Sequence, residues 1–218
     1  MRYLVAVNRS WSAYVNYLIL TGIPLVFALP SPARVDALIE PRLDLAPVFL
    51  IIATALFAVY SLNFGLAHAQ LESAPGEIRL QLLAHVLFLL VVSLPYWTVF
   101  TGITGHGVDR LGGALGYLGL YGTCWAFLGV PIGRRWPTEI AQFHVKYALL
   151  ILALGTTFFV LRPLNPFLML SLWFGEGALR EQVGFLISGY TSLMVVAYVL
   201  SRWGIRGGDH ALVRGHTR

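Results

Sequence analysis

The sequence predicts an all-α integral membrane protein. It should have six transmembrane helices, both termini cytoplasmic, and a short re-entrant or interfacial helix before the last span. Three observations carry this. First, 57% of the 218 residues are hydrophobic and 11% are charged, against roughly 45–50% and about 25% in a soluble domain. Second, the apolar residues form six continuous runs, at residues 11–29, 46–67, 80–100, 111–130, 145–161 and 183–200; about 20 residues cross a hydrocarbon core of roughly 30 Å. Third, the basic residues lie between these runs and are unequally shared between the two sides. A water-soluble enzyme, a disordered chain, a coiled coil and a nucleic-acid-binding domain are excluded, despite a pI near 9.6. The runs do not alternate, so a membrane β-barrel is excluded too.

The first run follows Arg2 and Arg9 and carries Pro24. It is longer than the apolar core of a signal peptide, and Leu29-Pro30-Ser31-Pro32 makes a poor cleavage site. It is therefore expected to be retained. The third run contains Pro95, a predicted kink. In the fourth, Gly112, Gly116 and Gly119 recur at helical spacing and predict a smooth face for close helix packing. In the fifth, Lys146 lies one residue from the end and is expected to snorkel toward the headgroups. Before the sixth, Pro163 and Pro166 stop the preceding helix, residues 167–174 are apolar but too short to cross, and Gly175 and Gly177 permit a turn. With the N-terminus inside, ten Lys and Arg residues fall on the inner side and five on the outer, the bias expected of a cytoplasmic face. The whole chain reads as one polytopic membrane domain, residues 1–218.

Candidate chemistry is sparse. The lone Cys124 excludes an internal disulfide and a cysteine-based zinc site. There is no phosphate-binding loop for ATP and no G-x-S-x-G nucleophile motif. His68, His85 and His144 fall near the inner ends of three spans, and Glu72 is four residues beyond His68. Imidazole with carboxylate suits zinc, iron or manganese, and His68 with His85 could grip haem from neighbouring helices. No His pair stands at i, i+4. One reading is thus an integral-membrane haem- or metal-binding redox subunit using His68, Glu72, His85 and His144. Another is a non-catalytic subunit anchoring a larger membrane complex.

A combined pattern points elsewhere. Six spans, a short inner loop after the second, and a broken apolar segment outside before the sixth resemble the membrane subunit of ABC-2 type exporters. The likeness covers about residues 46–200. It rests on the loop Glu72-Ser73-Ala74-Pro75-Gly76-Glu77-Ile78-Arg79-Leu80, on Ser93-Leu94-Pro95 followed by Gly102 and Gly105, on Phe127-Leu128-Gly129-Val130-Pro131-Ile132-Gly133-Arg134-Arg135, and on Asn165-Pro166-Phe167. The resemblance implies a permease without covalent chemistry or a cofactor of its own, paired as a homo- or heterodimer in a bacterial-type cytoplasmic membrane. ATP would be bound by a separate ATP-binding cassette ATPase. Glu72, Gly76, Glu77 and Arg79 would contact that ATPase. Asn165, Pro166, Phe167, Trp173 and Glu176 would form an outer gate.

Overall fold

A computed structural model describes residues 11–28, 46–69, 74–175 and 179–206. These form α1 (Trp11–Ala28), α2 (Ala46–His68), α3 (Pro75–Ile103), α4 (Val108–Arg135), α5 (Glu139–Phe159), a 3-10 turn (Arg162–Leu164), α6 (Pro166–Trp173) and α7 (Leu179–Arg206). No strand occurs among the described residues. The helices α2, α3, α4, α5 and α7 are long and apolar enough to cross a membrane. The first run appears as α1, whose 18 residues rise about 27 Å, slightly less than the hydrocarbon thickness.

Four helices overrun their predicted spans: α3, α4, the start of α5 and both ends of α7. α3 starts at Pro75 rather than residue 80, so Gly76, Glu77 and Arg79 belong to a helical first turn and not to a loop. Proline suits this place because the N–H it lacks has no partner at a helix start; the Ala74 carbonyl accepts from the N–H groups of Glu77 and Ile78. α4 extends from Val108 through Arg135. Hydropathy falls where a helix leaves hydrocarbon, whereas hydrogen bonding carries the helix on into the headgroups. The connection between α3 and α4 turns at Gly105, whose φ of 71° lies where a side chain would be strained. Helix continues through Pro24, Pro95 and Pro131.

α4 is the central helix. It packs most extensively on α2, then on α7 and α3, while α1 lies against α2 and α3. α2 and α4 run parallel and touch backbone to backbone. A Cβ at Gly65 would stand 2.1 Å from the Ala126 carbonyl oxygen, and one at Gly129 would stand 2.5 Å from that of Leu62. At Gly133 the nearest atom would be Ala69 Cβ, at 2.5 Å. The close-approach face is therefore Gly122, Gly129 and Gly133 against α2. The predicted face meets side chains rather than backbone: Gly112 meets nothing within 4 Å, Gly119 meets Leu90 at 3.1 Å, and Gly116 lies tight against the Tyr190 hydroxyl. α5 is the outermost helix, and among its described side chains only Leu150 is buried.

The bundle has two chemically different ends. α2, α4 and α7 finish and α3 and α5 begin at a basic end carrying Arg79, Arg134, Arg135, Lys146 and Arg202. α6 lies at the opposite end, against α2, α4 and α7.

Gly65→Ala and Gly129→Ala should each lower stability by about 1–3 kcal/mol through overpacking, outweighing up to about 1 kcal/mol of improved helix propensity. Gly155→Ala, with nothing within 4 Å of its added carbon, should be neutral or slightly stabilising. Thermal unfolding midpoints in one detergent check the contrast.

Candidate functional site

Three helices turn polar side chains inward at helical spacing. Tyr14, Tyr17 and Thr21 lie on one face of α1; Ser61 and His68 lie on one face of α2; His85, Ser93 and Trp97 lie on one face of α3. All eight are buried. Spacings of 3, 4, 7 and 8 bring residues back to the same side of a helix, so most of these groups form a file along the α1–α2–α3 interface, with Ser61 Oγ turned toward Gly122 of α4.

The file is densest toward the basic end. The Tyr14 hydroxyl hydrogen-bonds His85 Nδ1. Phe64 stacks on the His85 ring at 4.4 Å between centroids and an interplanar angle of 10°. His68 meets the same ring edge to face, 5.0 Å away and at 71°. His68 Nδ1–H donates to the Phe64 carbonyl at 2.8 Å, which leaves its Nε2 as the acceptor nitrogen. His85 Nε2 is buried and has no hydrogen-bond partner among the described residues. The same holds for Ser61 Oγ and Trp97 Nε1, while the Tyr17 hydroxyl lies close to the Ser93 and Thr21 hydroxyls. Buried polar atoms are nearly always satisfied, so this interior is equipped for more hydrogen bonds than its own side chains make.

The metal-ligand set expected from sequence is only partly assembled. His68 and His85 are in contact, but His144 is exposed on α5 with Nδ1 donating to the Ile140 carbonyl at 2.8 Å. Glu72 lies outside the described residues, among which no cluster of three or more His, Cys, Asp or Glu side chains occurs. Haem does not fit between the pair. An imidazole nitrogen sits about 2 Å from a bound metal, so two axial rings stand roughly 6 Å apart or more, centre to centre. His68 and His85 already touch at 5.0 Å.

At the opposite end, the expected gate residues form a tightly fastened element. The Asn165 side chain caps α6 by accepting from the Leu168 N–H at 3.0 Å. Its Nδ2 reaches the Leu154 carbonyl at 3.3 Å and Thr157 Oγ1 at 3.2 Å, both on α5. Pro166 and Trp173 are buried and Phe167 is half-buried; Glu176 lies outside the described residues. Trp173 and Arg110 clasp each other. The indole N–H donates to the Arg110 carbonyl at 2.7 Å, the guanidinium donates to the Trp173 carbonyl, and its carbon lies 4.8 Å from the indole centroid. His106 adds a 2.6 Å bond from Nε2 to the Phe174 carbonyl. Arg110 and His106 were not anticipated from sequence, because their partners lie more than 60 residues away.

At the basic end, Gly76 is exposed and Glu77 is half-buried. Arg79, expected at an ATPase surface, is half-buried, and its Nη2 donates to the Ser201 carbonyl on α7. Its aliphatic stem and guanidinium thereby join the start of α3 to the end of α7. Comparison with known protein families, with curated proteins and with solved structures finds no match to this chain.

Tyr14→Phe should cost about 1–3 kcal/mol by orphaning a second buried nitrogen of His85, whereas Tyr14→Phe combined with His85→Leu should recover most of that loss. Unfolding midpoints of the single and double variants measure it. Asn165→Ala removes a helix cap and two half-buried side-chain bonds. It should destabilise the protein by about 1–2 kcal/mol and speed protease cleavage near α6.

Proposed function

We propose that this chain is the membrane-embedded subunit of an ATP-driven exporter. Six helices, α1 among them, would span a bacterial-type cytoplasmic membrane, with both termini and the basic end on the cytoplasmic side. A separate ATP-binding cassette ATPase would dock around the first turn of α3. Two such subunits would form the path, and this chain would carry out no covalent chemistry.

One observation carries the reading: the Arg79–Ser201 bond makes α7 a rod between the two ends. The far end of α7 is fastened to the α6 region. Gln182 Nε2 donates to the Gly175 carbonyl at 2.8 Å, and the Tyr190 hydroxyl donates to the Gly113 carbonyl at 2.8 Å, beside Trp173. A displacement of the α3 start by a docked ATPase would pull on α7 and load the Arg110–Trp173 clasp. Opening the α6 end then requires that clasp to break. The file of buried hydroxyls and imidazoles would offer hydrogen bonds to a cargo with polar groups, or to water moving with it.

Affinity purification of the tagged full chain in mild detergent should bring down a cassette ATPase. Arg79→Ala should retain that ATPase but lose the stimulation of ATP hydrolysis by cargo. Absence of any ATPase from the purified assembly would overturn the reading.

A second reading is favoured by the His68–His85 contact and the unpartnered Nε2 of His85. In it, a small transition ion rather than haem sits in the α1–α2–α3 interior and the chain is a redox or metal subunit. Elemental analysis separates the two: metal at one equivalent per chain, lost in His85→Leu, would favour the second.

A further inference from the structure

Near the basic end, α2 and α5 leave between them a cleft of about 500 Å³. Leu66, Ala67, Pro137 and Phe143 give it apolar walls, and Asn63, Glu139, Gln142 and Lys146 bring polar groups to it. Lys146 does not simply extend toward water. Its amine donates to Asn63 Oδ1 at 3.2 Å and lies 4.7 Å from the Tyr147 ring centroid and 5.9 Å from that of Phe143. An ammonium group has three N–H bonds, and Asn63 takes one. Lys146 is half-buried two turns into α5, so the N–H bonds that Asn63 leaves over are held at the cleft, where an anionic group can take them.

An exposed apolar stripe begins at the cleft and runs along α5 toward the opposite end. It comprises Ile140, Phe143, Tyr147 and Ile151, exposed to 75%, 57%, 39% and 73%. The positions i, i+3, i+7 and i+11 keep one side of the helix. A polar cleft at the head of an apolar stripe has the shape of an amphiphile. The polar groups narrow the head further. Lys146 and the amides suit a phosphate, whereas the Glu139 carboxylate repels a purely anionic headgroup and attracts one that also carries an ammonium group. A quaternary amine has no N–H to offer that carboxylate or the Gln142 amide.

We propose that this cleft binds the headgroup of a bilayer phospholipid bearing both a phosphate and a primary ammonium, with its acyl chains along the α5 stripe. Lys146 holds the phosphate, Glu139 holds the ammonium, and Asn63 positions the Lys146 amine. The proposal is independent of the exporter reading and asks nothing of a partner protein.

The full chain, purified in detergent, is titrated with phosphatidylethanolamine, phosphatidylglycerol and phosphatidylcholine of identical acyl chains, with bound lipid counted by native mass spectrometry. Wild type should prefer phosphatidylethanolamine by about tenfold or more, a difference of about 1.4 kcal/mol. Lys146→Met should weaken binding of all three lipids about tenfold or more, because each carries the phosphate, and Lys146→Arg should keep most of the binding. Glu139→Gln should reduce the preference over phosphatidylglycerol in particular. Glu139 is exposed, so that arm decides even if Lys146→Met unfolds. Equal retention of all three lipids by wild type, or unchanged selectivity in Glu139→Gln, would overturn the proposal. So would displacement of the lipid by millimolar inorganic phosphate or free phosphoethanolamine, which would assign the cleft to a soluble phosphate compound.

Discussion

The backbone contact between α2 and α4 is the constraint on which the other elements depend. Lipid tails are as apolar as leucine, so helices in a bilayer gain nothing by hiding apolar surface from one another. Association rests instead on close van der Waals contact and hydrogen bonding. Gly65 and Gly129 permit that contact by placing no carbon where the facing backbone already lies. Two parallel helices so joined must be bridged by an antiparallel helix, α3, and that returning helix closes the polar file with α1 and α2. The same seam fixes the height of α4. Its N-terminal turn presents Arg110 and Gly113 to Trp173, so the position of α6 is set from within the bundle.

The membrane character of the chain was legible in the sequence because solvation by lipid is a local property: each span is apolar along its own length. Helix ends were less legible. The turn from Pro75 to Arg79 carries Glu77 and Arg79 and reads as a loop by hydropathy, yet it continues the α3 hydrogen-bond ladder. The glycine pattern on α4 shows why periodicity identifies a face without identifying its neighbour. Gly112, Gly116 and Gly119 have the expected spacing, but the closest approach lies where α2 contributes a glycine of its own, at Gly65. Nothing within α4 reveals that.

The candidate site was visible in parts. Placing His68 and His85 near one end of the bundle followed from their positions along the spans, and they do meet. Tyr14, which binds His85 from 71 residues away, carried no local signal; a tyrosine in the first span looks like any membrane aromatic. The low charge content inside the spans conceals a second fact. Hydroxyls, imidazoles and an indole N–H are uncharged, so they scarcely register in net charge, yet in a buried interior their hydrogen-bonding needs are as binding as those of ions. Arg79 shows the reverse. It reads as a surface cation, and it is spent on the carbonyl of Ser201.

α5 differs from its neighbours in how it is held. Along its length it buries Leu150, while its two ends are fastened, near the start by Lys146 to Asn63 and near the finish by Leu154 and Thr157 to Asn165. Between those ties Val145, Leu149 and Ala153 pack half-buried against the core, so most of the helix surface faces away from the bundle. A change in bilayer thickness is taken up most cheaply by tilting or bowing of a spanning helix, and α5 buries the smallest share of its span among the described spanning helices. A tilt of α5 would load two side chains, Asn63 and Asn165, toward opposite ends of the bundle. A helix held in this way would pass a change in bilayer thickness to both ends of the bundle at once.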